Sequence, residues 1–385
     1  MIDFSLTAEQ QRYVDLARAF SAREIAPVAL AYDAAPVYPE AILKQARELG
    51  LLYANIPEAY GGSGMDFVTY YLVTEALNYD CCAIGQMIGI AHLATGPILI
   101  GGTDDQKKHF LGPMTASHRS ACFCLTEPGA GSDAAAMQTT VTKRGDKYIL
   151  NGAKCYITNG RDADLLVVFA TIDPGKGTKG ICCLAVPRDT PGIRVGRVED
   201  KMGHRALVVT ELFFDNVELS REHLIGAEGQ GFKLAMMALD RGRANIAAVC
   251  TAICQRALDE AKRWANERVQ FGQPVGQFQG VHFILADMYQ QVMACRTMYL
   301  QVGWMLDQGR SCITEAAAAK CFASDAAMRV TTDAVQILGG AGYMKGSVVE
   351  KLMRDAKLTQ IFEGTNQINR IVCGRGVLTG KNRLF

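Results

Sequence analysis

The sequence predicts an α+β, multi-domain chain in which a β domain separates two helical bundles. Three observations lead there. Helix start signals and apolar stretches fill the chain up to residue 120, and a helical period returns after residue 230. Between them the pattern changes to short β-prone runs set apart by turn residues. A length of 385 residues leaves room for two or three domains. The boundaries fall at 1–120, 121–229 and 230–385.

Thr7-x-x-Gln10 reads as a capping box opening a first helix that stops near Pro27. Pro39 starts a second helix, closed at Gly50 and followed by a Gly61-Gly62-Ser63-Gly64 loop. Apolar stretches over 70–77 and 84–100 complete a small bundle. In the middle region the runs Tyr148-Ile149-Leu150, 165–169, 181–186 and 207–214 alternate with breaks such as Asp173-Pro174-Gly175 and Thr190-Pro191-Gly192. That spacing suits a barrel or sandwich rather than βαβ units. From Gly231, the residues Phe232, Met236, Leu239, Ile246, Val249, Ile253, Ala257 and Trp264 mark one long amphipathic helix. Two more follow over 278–307 and 313–338, broken at Gly339-Gly340-Ala341-Gly342, and a fourth starts near Thr365.

A composition of 49% hydrophobic and 21% charged residues fits a soluble globular protein with sizeable cores. Forty basic residues against 39 acidic ones leave a net charge of +1, no footprint for nucleic acid. The opening Met1-Ile2-Asp3-Phe4-Ser5 lacks the charged and apolar regions of a leader. The most apolar runs, 165–170 and 181–186, fall far short of the ~20 residues that span a bilayer. The 13 cysteines are scattered, and Cys122-x-Cys124 is spaced for neither zinc nor thioredoxin chemistry. The expectation is a cytoplasmic protein with free thiols, no metal site and no membrane insertion.

No G-x-G-x-x-G follows a strand in a βαβ unit, and neither H-E-x-x-H nor G-x-S-x-G occurs. Three segments remain. Leu125-Thr126-Glu127-Pro128-Gly129-Ala130-Gly131-Ser132-Asp133 is a small-residue loop whose N–H groups and hydroxyls suit a phosphate or a ring, or else a plain tight turn. Tyr156 and Thr158, in Tyr156-Ile157-Thr158-Asn159-Gly160, share a strand face and are able to meet one flat ligand, although core packing is the commoner fate of such a Tyr. In Gln360-Ile361-Phe362-Glu363-Gly364-Thr365-Asn366-Gln367, Glu363 follows two apolar residues just before an N-cap at Thr365. Desolvation there raises a carboxylate pKa toward that of a general base. Read locally, the commoner fate of such a Glu is a helix-start residue satisfied by the dipole.

Taken in order, these segments resemble the acyl-CoA dehydrogenase family over essentially the whole chain. The likeness continues through Glu267-Arg268-Val269-Gln270-Phe271-Gly272, Gln336-Ile337-Leu338-Gly339-Gly340 and Lys351-Leu352-Met353-Arg354-Asp355, and is strongest to the medium- and short-chain, straight-chain branch. The resemblance implies a β-barrel-like middle domain, a C-terminal four-helix bundle and a homotetramer built as a dimer of dimers, with FAD at a subunit interface. It implies oxidation of an acyl-CoA thioester to trans-2-enoyl-CoA, a step of fatty-acid β-oxidation, with an electron-transferring flavoprotein as acceptor. Glu363 becomes the base that removes the α-proton while a β-hydride passes to the flavin.

The same resemblance places Phe123, Leu125, Thr126 and Ser132 along the flavin, with Ser132 also near the substrate. Tyr156 and Thr158 contact the ring. Arg268, Phe271, Gln279, Gln336, Gly339 and Gly340 hold the FAD of the neighbouring subunit, and Thr365 and Gln367 close the site. Asp240, Arg243 and Gly364 line the thioester channel; for Arg243 and Arg268 the plain alternative is a helix-surface ion pair. One branch places its base on the long helix, where this chain has Gly242, so Glu363 is the sole candidate. Tyr156 stands where Trp is usual and Phe362 where Tyr is frequent. Gly89, Ile90 and Ala91 fall at the bottom of the implied acyl pocket. An acyl-CoA oxidase, a carrier-protein thioester dehydrogenase and a non-catalytic flavin- or CoA-binding protein are the alternatives.

Overall fold

The computed structural model describes residues 5–118 and 120–380; the opening residues 1–4, read above for a leader, lie outside them. Helix α1 (Ala8–Phe20) starts at the expected capping box, with Gln10 N–H donating to Thr7 Oγ1 and Thr7 N–H to Gln10 Oε1. It does not end near Pro27. A π turn (Ser21–Ile25) and a 3-10 turn (Ala26–Val28) lead on into α2 (Ala29–Ala34), and Pro27 sits at the start of its turn, where its missing N–H has no partner to lose. Helices α3 (Glu40–Glu48) and α4 (Phe67–Asn78) follow as expected. The single helix over 84–100 is in fact two, α5 (Cys82–Gly89) and α6 (Ala91–Gly101), parted after Gly89, a weak helix former. An unexpected α7 (Asp104–Ala116) opens on a second capping box, Thr103 with Gln106.

The stretch Cys82–Gly101 is apolar and, at 20 residues, long enough to cross a membrane, contrary to the sequence expectation that every apolar run is too short. Its 78% burial explains it instead as core, because Ile84, Met87, Ile88, Ala94 and Ile98 belong to the main apolar cluster.

The middle domain holds β1 (Ala121–Cys124), β2 (Thr140–Arg144), β3 (Lys147–Thr158), β4 (Leu165–Thr171), β5 (Ile181–Pro187), β6 (Ile193–Val198), β7 (Val209–Ser220) and β8 (Leu224–Ile225). They form one sheet in the order β6-β7-β3-β2-β4-β5-β8, with β1 parallel to β4. Alternation along β4 divides two cores. Leu166, Val168 and Ala170 pack with Cys122, Leu184 and Leu212 inside the curled sheet, whereas Leu165, Val167 and Phe169 pack on the helices. The expected strand over 207–214 starts later and runs on to Ser220.

The C-terminal domain is built on α8 (Gly231–Glu267), 37 residues long, with α9 (Gln279–Asp307), α10 (Ile313–Leu338) and α13 (Asn366–Leu378). A two-stranded ribbon, β9 (Val269–Gln270) and β10 (Gln273–Pro274), joins α8 to α9. Gly339 ends α10 in a backbone region open to glycine (φ 61°), and short α11 (Gly340–Tyr343) and α12 (Val348–Thr359) lead to the final helix.

One buried cluster joins all three domains. Asp355 of α12 accepts Lys351 Nζ–H and His204 N–H, both at 2.5 Å, and Cys82 Sγ–H of α5 at 3.2 Å. Cys82, His204 and Asp355 lie close enough to resemble a metal site. The Asp355 lone pairs already take protein protons, Cys82 Sγ–H and His204 Nε2–H are spent as donors to Asp355, and the Lys351 ammonium occupies the place of a cation.

Candidate active site

Glu363 sits in the loop between α12 and α13 in a left-handed backbone conformation (φ 52°), followed by Gly364 (φ 87°). For a residue with a side chain that region costs roughly 1–2 kcal/mol, so the surroundings must impose it. They do so through the Gly364 carbonyl, which accepts from Asn369 Nδ2 at 2.7 Å and from Lys320 Nζ at 2.9 Å. Asn366 N–H also donates back to the Gln360 carbonyl at 3.0 Å. Thr365 caps α13 as expected, accepting from Ile368 N–H.

The kink turns the carboxylate away from the α13 terminus and toward α8. A methyl group placed on Gly242 would stand 2.1 Å from Glu363 Oε2. The local reading of a helix-start Glu satisfied by the dipole is thus corrected: Oε2 is sealed from solvent and has no hydrogen-bond partner among the described residues, although the residue as a whole is half-buried. Burial raises its pKa to about 7, against the lowering influence of Lys320 and then Arg243. The Glu363 N–H donates to no described residue. Gly242→Ala is expected to displace the carboxylate, and a misplacement of about 1 Å lowers turnover by roughly 10². Steady-state kinetics with retained FAD absorbance checks this.

Arg243 and Asp240 form an ion pair at 2.6 Å, but not the surface pair that their helical spacing allows. Arg243 is buried and its Nε has no partner among the described residues. Burial pushes the Asp240 pKa up while Arg243 pulls it down. Tyr70 of α4 lies near enough to Glu363 for the carboxylate charge to raise its own pKa, chiefly raised by burial.

The β1 loop forms a second cluster. Leu125 is buried, Phe123 packs on Phe169 at 4.8 Å, and Thr126 C=O accepts from Cys155 N–H. Beneath the loop, Lys154 Nζ bonds Glu127 Oε1 at 2.7 Å and the Leu125 carbonyl at 3.0 Å, with both side chains buried. Glu127 also accepts from Gln138 and Thr139 N–H. This buried pair, which sequence reading did not single out, ties the loop to β3 just before Tyr156. A register shift between Lys154 and Ile157 and a left-handed Tyr156 (φ 55°) make a bulge that turns the ring out, 64% exposed, rather than into the core. Thr158 is half-buried and Ser132 exposed.

These residues fit a flavin. Gly129 and Gly131 have open space where side chains would stand, the Tyr156 ring is free to stack, and hydroxyls flank both. Arg268, Phe271, Gln279, Gln336, Gly339 and Gly340 are exposed on this chain, and none makes a hydrogen bond or ion pair to the Glu363 loop or the β1 loop. Arg268 lies over the Trp264 ring at 5.9 Å, not in a described ion pair, and Phe271, 94% exposed, meets Phe278 edge-on at the ribbon tip. Gln367 is exposed, while Thr365 and Gly364 are half-buried. The sequence reading missed Lys320. Its only signal is a charged residue in the otherwise small-residue run Ala316-Ala317-Ala318-Ala319.

Comparison with known proteins now bears on this geometry. Residues 7–118, 122–217 and 229–378 match the family models for the N-terminal, middle and C-terminal domains of acyl-CoA dehydrogenase. The cyclohex-1-ene-1-carbonyl-CoA dehydrogenase of Geobacter metallireducens is 45% identical over 97% of this chain and 99% of its own. The structure of butyryl-CoA dehydrogenase from Megasphaera elsdenii superposes with a TM-score of 0.95 at 41% identity, covering 98% of this chain and all (100%) of that one. A chain in the structure reported for the electron transferring flavoprotein of Acidaminococcus fermentans, concerned with flavin-based electron bifurcation, matches at a TM-score of 0.96 and 42% identity, over 98% and 100% of the two chains.

Proposed function

Because the chain belongs to the acyl-CoA dehydrogenase family, FAD-dependent oxidoreductases of acyl-CoA thioesters, we propose that Glu363 is the base of its α,β-dehydrogenation. The observation that carries this is the Glu363 carboxylate, its Oε2 sealed from solvent and without a hydrogen-bond partner among the described residues, shifted to about 7 and turned onto the bare backbone of Gly242. Such a base is half ionised near neutral pH and has no internal competitor for the proton it takes. The unengaged Glu363 N–H supports a donor to the thioester oxygen, which makes the α-proton acidic enough to leave. Asp240, Arg243 and Gly364 are read as lining the thioester end.

FAD, when bound, supplies the acceptor for the hydride that leaves the β-carbon. Phe123, Leu125, Thr126, Ser132, Tyr156 and Thr158 are read as its own-subunit wall, with Thr365 and Gln367 closing the site. Arg268, Phe271, Gln279, Gln336, Gly339 and Gly340, exposed here, are read as serving a neighbouring subunit. A homotetramer is supported by the exposed Phe283, Tyr289, Met293 and Trp304 along α9. We read an electron-transferring flavoprotein as the acceptor, which the Acidaminococcus match supports, and the cytoplasm as the location.

Anaerobic addition of butyryl- or octanoyl-CoA is expected to bleach the oxidised flavin spectrum, followed by slow recovery in air. Fast recovery would mark an oxidase, and no bleaching with either thioester would overturn the reading.

A further inference from the structure

We propose that Lys320 is a positioning residue for Glu363, clamping the base's loop from α10 and setting an ammonium charge beside its carboxylate. The inference rests on the reading of Glu363 as base. Lys320 has no exposed surface, and its neighbours on the inner face of α10 are small: Ala316, Ala317, Ala319, Ala323 and Ser324. An ammonium in such a place normally has a carboxylate at ion-pair distance, because burying an unpaired charge is expensive. Lys320 has none among the described residues.

Its protons go instead to the Gly364 carbonyl and to Asn366 Oδ1, each at 2.9 Å. These two acceptors lie just past the base. The first is the carbonyl that fixes the left-handed turn at Glu363 and Gly364. The second belongs to a side chain that Ser324 and Asp325 hold from α10 through Asn366 Nδ2, at 2.9 and 2.8 Å. Asp325 also receives Gln360 Nε2–H at 2.6 Å, so the loop is gripped at both ends from one helix.

The charge acts on the Glu363 carboxylate, since Asp325, the other carboxylate of this network, is paired with Arg370 at 2.6 Å. Arg243 is already paired with Asp240, whereas Lys320 is not paired, and Lys320 is the stronger of the two influences that lower the Glu363 pKa. The other titratable groups facing the pair are Cys250 of α8, Cys321 of α10 and Tyr70 of α4. Burial lowers the Lys320 pKa to about 8 while that of Glu363 is raised to about 7. Both groups are therefore charged together only in a narrow window around those values. Below it the base holds its proton; above it the ammonium loses one.

The test is flavin reduction by butyryl-CoA, followed by rapid mixing of the holoenzyme between about pH 5 and 9. Lys320→Met and Lys320→Gln are expected to keep FAD and shift the acid limb of the rate profile upward by about one pH unit, a loss of roughly fivefold at neutral pH that approaches tenfold at lower pH. Lys320→Arg is expected to return the limb toward its original position. The Gln variant retains a donor for the Gly364 carbonyl and so remains informative if the Met variant does not fold. An unmoved limb in the Gln variant overturns the proposal, even if its rate falls, since a packing role lowers rate without moving the titration. Glu363→Gln run alongside separates the two readings: if Glu363 is not the base, that variant keeps the limb.

Discussion

Glu363→Gln is expected to lower turnover by roughly 10²–10⁴ while FAD stays bound, because a positioned base is removed and its shape is kept. Anaerobic flavin bleaching by an acyl-CoA should become correspondingly slow, and full turnover in this variant would sink the assignment. The pH dependence has a definite sign. A base that must be ionised gives a rate that rises with pH through about 7, where burial has placed the Glu363 pKa. Stability runs the other way. A carboxyl whose folded pKa is raised above its ordinary value contributes stability that is full below that ordinary value and lost as pH rises through about 7. The Gln variant should therefore melt higher than the parent above neutral pH while losing activity. That opposite movement is the signature of a strained functional residue, and a thermal melt at two pH values reads it.

Much of this was legible because it is local. The capping box at Thr7, the stop at Gly339 and the N-cap at Thr365 are short-range hydrogen-bond arrangements, and the long helix α8 shows its apolar period over 37 residues. Helix α7 was legible in principle, since Thr103 and Gln106 repeat the box at Thr7, but its polar first turns hid it. The split after Gly89 and the bulge at Tyr156 were not, because backbone choices there answer to tertiary packing. Most opaque were the buried lysines. Lys154, Lys320 and Lys351 look in sequence like surface residues, the usual fate of lysine, yet Lys154 and Lys320 are buried against partners distant in sequence and Lys351 against Asp355, one turn along its own helix. The approach of Glu363 to Gly242 is of the same kind: the missing side chain was visible, the contact that needs it was not.

Lys351→Met is expected to destabilise the protein by about 3–5 kcal/mol, the usual effect of leaving a buried charge without its partner. The abandoned group is Asp355, fully buried, which would keep His204 N–H and Cys82 Sγ–H but lose its only cation at ion-pair distance among the described residues. Burial alone would raise its pKa; Lys351 and His204 bring it down to about 2. A carboxylate depressed in this way contributes stability that is full above the ordinary carboxylate pKa of ~4 and lost as pH falls through about 2. The gap between parent and variant should therefore be widest at neutral pH and close as the solution is acidified below ~4. Adding Asp355→Asn should recover much of the loss, because two neutral partners leave no buried charge. Denaturant melts of the single and double variants measure this, and equal stability of parent and Lys351→Met at neutral pH would refute it. The cluster also bears on activity, since α12 runs directly into the base's loop and the His204 ring faces Phe362, the residue before Glu363, at 6.1 Å. The double variant, if its stability recovers but its flavin reduction does not, would show that the cluster aims Glu363 as well as holding the domains together.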